Sequence, residues 1–416
     1  MRQLVGQFRS FNRPSRLLMI DQFTINVGFY MLMPYLASYL SGSLGLASWT
    51  VGLVLGIRNF SQQGMFLVGG TLADRFGYKP LIVAGCVLRI GGFASLAIVD
   101  SLPGLIIALA ATGFAGALFN PAVRAYLAAD SGERRIEAFA VFNVFYQGGI
   151  LAGPVVGLVL TAVDFRLTCL VAAAVFAVLS VISVRALPAQ ATMADRPEGR
   201  DSMLTGLRTV GANRSFRLFA LVMIGSYVLS FQMYLALPME AHRIAGSGAA
   251  GTALITALFV VSGGLAILGQ VKITSWLKAR WSPGTCLAAG MSLMALAFVA
   301  PGAAARTGPV VAAIALVLSA AVLALGTVAV FPFEMDTIVR FSEGKLVATH
   351  YGFYNTVVGV GILLGNLFTG TVFDLARSAD WPELPWIGLV LLGAGCAFGL
   401  LSLDRGRRLE TASAVT

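Results

Sequence analysis

Charge is what this 416-residue sequence lacks: Asp, Glu, Lys and Arg together make up 12% of it, where a water-soluble domain carries roughly 25%. That scarcity leaves too little polar surface to coat one or two globular domains, and a hydrocarbon solvent accounts for the deficit. Histidine is reduced to two residues, His242 and His350, each alone near a loop, so no pH-sensing pair is indicated. The four cysteines, Cys86, Cys169, Cys286 and Cys396, each fall in an apolar run. None forms a CxxC or Cys/His grouping, so they read as packing residues rather than a zinc or disulfide framework. No metal site and no cofactor is expected. No nucleotide loop or nucleophile constellation appears, and enzymatic activity is not expected. Basic residues outnumber acidic ones, 29 to 19, but they lie between apolar runs and not along an aromatic-basic face, so no nucleic-acid partner is expected.

Apolar length is what the sequence has instead. Hydrophobic residues make up 57% of the chain, and the mean hydropathy is +0.84. A spanning helix needs about 20 mostly apolar residues. Runs of that length predict spans at 17–41, 49–72, 80–99, 102–125, 137–163 and 166–187, then at 215–240, 251–276, 283–302, 309–333, 346–372 and 385–403. The fold class expected is therefore an all-α membrane protein with twelve transmembrane helices in two pseudo-symmetric six-helix bundles. Residues 1–187 form the first bundle, 188–214 a polar linker, 215–403 the second bundle and 404–416 a tail. The Arg-rich start runs straight into a full-length first span, so no cleavable signal is expected. Lys and Arg collect on the side that holds both termini, with Arg166, Arg243, Arg306 and Arg377 opposite and Arg58 and Arg89 inside spans. The positive-inside rule makes that side cytoplasmic, in a cell (inner) membrane.

The two halves echo each other. Asn143, Gly149 and Gly153 recur as Asn355, Gly361 and Gly365, each 212 residues on. Asn120-Pro121 at the end of span 4 is matched by Phe331-Pro332 at the end of span 10, and Pro34 by Pro238. Duplicated six-span halves are a known route to alternating access around a midplane site.

Two local motifs stand out. The first, Gly70-Thr71-Leu72-Ala73-Asp74-Arg75-Phe76-Gly77-Tyr78-Lys79-Pro80-Leu81, falls between spans 2 and 3. Its glycines allow a tight turn, and Asp74, Arg75 and Lys79 can form ion pairs at the membrane face, a latch that one conformation makes and another breaks. A plain turn with topogenic charges is the bland reading. The second, Gly149-x-x-x-Gly153-Pro154-x-x-Gly157 in span 5, lines one helix face with small residues and adds a proline that loosens the helix.

These motifs resemble the loop signature and the antiporter-helix signature of the major facilitator superfamily. The chain is similar to its twelve-span drug:proton antiporter group, in particular MdtH-type multidrug exporters. Arg58 with Gln62-Gln63-Gly64, Asp164-Phe165-Arg166-Leu167, Phe373-Asp374-Leu375 and Pro382-Glu383-Leu384-Pro385-Trp386 carry that likeness, with Gly28 and Pro34 of span 1. The resemblance implies proton-coupled efflux of small amphipathic or drug-like compounds. It also implies a conformational latch at Gly70, Asp74, Arg75, Gly77 and Lys79, with Asp130 as a partner. Three departures are plain. Tyr78 replaces a common Arg, so the latch is expected to rely on Arg75 or Lys79. Leu109 stands near the place of a span 4 Arg linked to proton transfer, and Lys278-Ala279-Arg280 keeps only the charge of a second loop motif. Export of a specific metabolite or siderophore, solute uptake, and a non-transporting sensor remain as alternatives.

Polar groups at bilayer depth are costly and mark function or pairing. Asp21 in span 1 is the candidate proton-coupling acid, its burial favouring the neutral form; an interfacial acid or a static partner of a buried Arg is the alternative. Arg58 lies about 14 Å into span 2, placed to modulate that acid or attract an anionic group. Arg89 in span 3 is read as structural. Substrate-contact candidates are Asn26, Tyr30, Arg58, Gln62, Asn143, Tyr146, Gln147, Tyr227, Gln232 and Asn355, joined by Asn59 and Gln63 as further polar groups of span 2. Each can equally serve as interhelical hydrogen-bond glue. The expected partners are a small-molecule substrate, protons and membrane lipid, with the chain acting as a monomer.

Overall fold

The computed structural model describes residues 2–32, 36, 40, 54, 57–58, 60–161, 163–188, 203–246, 249–406 and 409. Pro34, Asn59, most of the 49–60 stretch, linker residues 189–202 and tail residues 410–416 lie outside the described residues. The rest is helical, with no strand among the described residues. In chain order the helices are α1 (Arg2–Ser10), α2 (Arg13–Tyr30), α3 (Phe66–Phe76), α4 (Tyr78–Ile98), α5 (Leu102–Ser131), α6 (Arg135–Thr161), α7 (Phe165–Ala186) and α8 (Met203–Ala212). There follow α9 (Arg214–Phe231), α10 (Ala236–Ala245), α11 (Ala249–Lys278), α12 (Pro283–Leu296), α13 (Val299–Ala303), α14 (Pro309–Ser342), α15 (Val347–Ser378) and α16 (Leu384–Arg405).

Helix starts follow local chemistry. Pro14, Pro103, Pro283 and Pro385 sit in first turns, where a missing N–H has no intrahelical partner to lose. Asp164 caps α7 by accepting from the Leu167 backbone N–H at 3.0 Å, and Ser282 caps α12 by accepting from that of Thr285 at 3.2 Å. These side chains satisfy donors that a helix start leaves open.

Among the described residues, nine stretches are long and apolar enough to cross a bilayer. One of them, Leu102–Gly157, has 56 residues, about 84 Å at 1.5 Å per residue. It breaks at a single 3₁₀ turn, Gly132–Arg134, into α5 and α6, and so crosses twice. Two predicted spans are interrupted. The seventh, expected unbroken over 215–240, divides at 232–235 into α9 and α10, and the ninth divides after Leu296 into α12 and α13. In each case a proline lies four residues beyond a carbonyl in the break, Pro238 beyond Tyr234 and Pro301 beyond Ala297, and it cannot supply the helical N–H. Two others run longer than expected. α14 has 34 residues and α15 has 32, near 50 Å each, and so outreach a hydrocarbon core of about 30 Å.

The chain gathers into two compact units: Val5–Asn213 with Ser342–Thr356, and Arg214–Phe341 with Val357–Thr416 and the first four residues. In the former, α4 packs between α5 and α7, α2 lies on α6, and α3 on α5. In the latter, α16 packs on α12 and α9, and α10 on α11. The first ten residues of α15 belong with residues 5–213, and the rest of that helix with the second half of the chain.

Three of the four arginines expected opposite the basic side pair with nearby acids. Arg166 pairs with Asp100 at 2.7 Å, Arg306 with Glu383 at 2.7 Å, and Arg243 with Glu240 at 2.5 Å.

Candidate functional site

Small residues decide where α2 and α6 meet. A side chain at Gly149 would collide with the Phe23 carbonyl and reach within 2.6 Å of Asn26 Cβ; one at Gly153 would come within 2.6 Å of Tyr30 Cβ. Only glycine lets the backbones approach this closely. The crossing places two span 1 candidates, Asn26 and Tyr30, directly against span 5. Asn26 donates its Nδ2 to the Tyr146 carbonyl at 2.8 Å and accepts from Gln22 Nε2 at 3.0 Å. Tyr146 and Gln147 are half-buried, and Asn143 is buried.

Arg58 belongs to the same unit. Its guanidinium stands over the Phe29 ring, 4.3 Å from the centroid, and donates to Gln62 Oε1 at 2.6 Å. Gly113 and Gly116 of α5 give way to Arg58 and Gln62, since a Cβ at Gly116 would lie 3.1 Å from the Gln62 carboxamide carbon. Tyr30 meets Phe29 edge-on at 5.1 Å. Asn26, Tyr30, Arg58, Gln62 and Tyr146 thus form one amide-and-aromatic cluster on α2, α6 and the stretch before α3.

Asp21 is set apart from that cluster. It is 1% exposed, its Oδ2 accepts from Ser183 Oγ of α7 at 3.2 Å, and its Oδ1 has no hydrogen-bond partner among the described residues. Among the described residues no salt bridge joins Asp21 to a buried Arg. Arg58 is engaged with Gln62. Arg89 of α4 lies between the rings of Phe119 and Phe176, 5.3 Å from each centroid, with Nε and one terminal nitrogen unbonded. Aromatic faces attract a cation that has lost its water, which fits a packing role for Arg89.

The loop motif is organised differently from the expected ion-pair cluster. Asp74, at the end of α3, accepts from the backbone N–H groups of Ala348 (3.1 Å) and Thr349 (2.6 Å), from Thr349 Oγ1 (2.7 Å) and from Tyr78 Oη (3.1 Å). It caps the first turn of α15 by accepting from N–H groups that a helix start leaves open. Arg75 and Lys79 make no ion pair with it; Arg75 is exposed beside the Phe76 ring. Tyr78, read as a gap in the motif, is one of the four donors. Gly70 and Gly352 permit the approach: a Cβ on Gly70 would lie 2.8 Å from the Ala348 carbonyl carbon, and one on Gly352 2.9 Å from Leu67 Cα. Gly77, at φ 94°, turns the chain from α3 into α4, a conformation open to glycine. Burial pushes the Asp74 carboxyl up to about 6, against the pull of its donors. Asp130 accepts from Ser15 Oγ at 2.5 Å, tying the end of α5 to the start of α2 and not to the loop.

The remaining candidates sit elsewhere. Asn355 donates to the Tyr351 carbonyl at 2.7 Å and accepts from Arg124 at 3.3 Å. Gln232, in the break just after α9, folds back onto the Val228 carbonyl at 2.8 Å, leaving Oε1 unbonded among the described residues, and Tyr227 is half-buried. Pro154 lies inside α6 without ending it. Sequence reasoning did not single out Gln22, Ser183, Thr349 or Ser15. Gln22 could have been found, one turn from Asn26 on the same face; the others are partners from distant segments with no local mark.

Comparison with known proteins places this geometry in context. The family model described as Major Facilitator Superfamily matches residues 18–366. An MFS-type transporter of Mycobacterium tuberculosis is 57% identical over 400 residues, covering 95% of this chain and 94% of that protein. The multidrug resistance protein MdtH of Yersinia pestis is 28% identical over 410 residues, 98% of each. Among solved structures, the E. coli fucose:proton symporter FucP aligns over 95% of this chain and 98% of its own with a TM-score of 0.69, at 17% identity.

Proposed function

Since the chain belongs to the major facilitator superfamily, and is a multi-pass membrane transporter and not an enzyme, we propose that it exports small amphipathic compounds in exchange for protons. The observation that carries the reading is Asp21: a carboxyl group inside the helix bundle with one weak donor and one empty oxygen. As a neutral acid it fits that site. As a carboxylate it would bury a charge that Ser183 alone cannot satisfy, which is costly enough to change helix packing. Proton binding and release at Asp21 thereby favour different arrangements of α2 against α7. The cluster of Asn26, Tyr30, Arg58, Gln62 and Tyr146 supports the substrate side, since its aromatic walls and scattered amides suit loosely specified amphiphiles. The name of the MdtH relative, a multidrug resistance protein, agrees with that class.

In this reading both termini are cytoplasmic, in the cell membrane. The collection of Lys and Arg on the side that holds both termini supports that orientation, and three of the four opposing arginines pair with acids. The Asp74 cap acts as the latch that holds the start of α15, and Gly149 and Gly153 serve as the bearing on which α2 moves. Flux of a fluorescent cationic dye in proteoliposomes, with and without an imposed pH gradient, tests the proposal. Asp21→Asn should abolish gradient-driven flux while leaving dye binding intact; undiminished flux removes Asp21 from the mechanism.

A further inference from the structure

A crevice of about 560 Å³ lies at the basic end of α11, bounded also by α12 and α14. Its walls are Ile273, Leu277, Leu293, Leu325 and other apolar groups, and among the described residues Lys272 is the one charged side chain that lines it. Two tryptophans flank the opening, Trp276 and Trp281, 48% and 42% exposed and packed edge to face at 5.5 Å. Arg280 covers Trp276, its guanidinium 4.7 Å from the ring centroid, and Lys278 is exposed beside it. No acid lines the crevice among the described residues. The proposed transport chemistry uses none of these residues.

We infer that this crevice binds an anionic phospholipid of the adjoining leaflet, an acyl chain between α11, α12 and α14 and the phosphate against Lys272 and Arg280. Three observations fit that occupant together. The depth is right: Lys272 is six residues, about 9 Å, short of the helix end at Lys278, so its ammonium reaches the headgroup level by extending along the wall. Exposed indole rings occupy the headgroup zone, where one end is apolar and the other wet. The walls are hydrocarbon and the rim is positive, which complements a lipid tail under a negative headgroup. A zwitterionic lipid fills the crevice equally well but gains nothing from the rim.

Quenching of tryptophan emission tests the assignment in phosphatidylcholine nanodiscs containing equal fractions of dibrominated phosphatidylglycerol or dibrominated phosphatidylcholine. The signal of interest is the part lost in the Trp276→Phe/Trp281→Phe protein. The anionic lipid should quench that part in excess. Each charge removed should lower the preference roughly fivefold, and Lys272→Gln with Arg280→Gln about thirtyfold, whereas Lys272→Arg retains it. Both residues are exposed, and circular dichroism confirms that the variants keep their helix. Equal quenching by the two brominated lipids overturns the inference, as does no quenching by either because a second copy covers this face. An excess that survives the double substitution does so too.

Discussion

Removing the Asp74 carboxylate should release the start of α15. Asp74→Ala leaves two backbone N–H groups, of Ala348 and Thr349, and the Thr349 hydroxyl without their acceptor in a buried place. Each stranded donor costs about 1–3 kcal/mol. Partial relaxation and new local bonds recover some of that, so a net loss of about 3 kcal/mol is expected at the first turn of α15. In hydrogen exchange on protein in nanodiscs, amides 348–350 should exchange roughly 150-fold faster, with α4 and α7 unchanged. Thr349→Val removes only the side-chain donor and should have about half the effect in energy.

The pH dependence of that protection has a definite sign. The capped carboxyl stands at about 6, against an ordinary value of 3.8, so the capped form holds its proton more tightly than the opened form. The cap therefore contributes most below pH 3.8 and loses strength as pH rises through about 6, by roughly 3 kcal/mol for a shift of this size. After correction for intrinsic exchange rates, amides 348–350 of the native protein should open more readily at pH 7 than at pH 5. In Asp74→Asn that difference should vanish. Unchanged exchange in Asp74→Ala, or a native pH profile running the other way, would refute the reasoning.

Two further perturbations separate packing from chemistry. Gly149→Val drives a side chain into Phe23 and Asn26 and should lower stability by about 1–3 kcal/mol, whereas Gly148→Ala, whose nearest neighbour is the Phe23 ring at 3.5 Å, should be tolerated. Similar melting temperatures in detergent for the two would contradict the close crossing. Arg89→Met removes a buried cation with unbonded nitrogens and should raise the melting temperature, by on the order of 1 kcal/mol, since released desolvation outweighs the lost ring contacts. A lower melting temperature would show that Arg89 has a charge partner the geometry does not contain.

What the sequence discloses depends on how far a signal must travel along the chain. Bilayer-length hydrophobic runs are local, and ten of the expected crossings can be traced in α4 to α7 and α9 to α16. Proline is less transparent. Pro238 and Pro301 accompany breaks, while Pro121, Pro154 and Pro332 ride inside continuous helices, because neighbouring helices decide whether a freed carbonyl is tolerated. The Gly149–Gly153 spacing identifies a packing face but not that Asn26 and Tyr30 lie on it. Asp74 was legible as the acid of the loop motif, yet its partner Thr349 is 275 residues away, and charge counting favoured the neighbouring Arg75 and Lys79. In a buried site, backbone N–H groups outcompete exposed cations for a carboxylate. Sequence carries no mark of which N–H will be near.

The duplication visible in the sequence extends to packing and stops short of chemistry. Gly149 and Gly153 receive Asn26 and Tyr30, and Gly361 and Gly365 receive Ile224 and Val228, with the same four-residue spacing on both sides of each contact. The glycine pair is thus a repeated bearing, required wherever two backbones must touch in lipid. The residues that ride on it have diverged, an amide and a phenol in one half and two aliphatic side chains in the other. An apolar bearing slides without breaking hydrogen bonds. The polar one must exchange the Asn26–Tyr146 bond whenever α2 shifts on α6. In the proposed mechanism this ties the movement of α2 to polar chemistry, in the part of the chain where Asp21, Arg58 and Asp74 also lie.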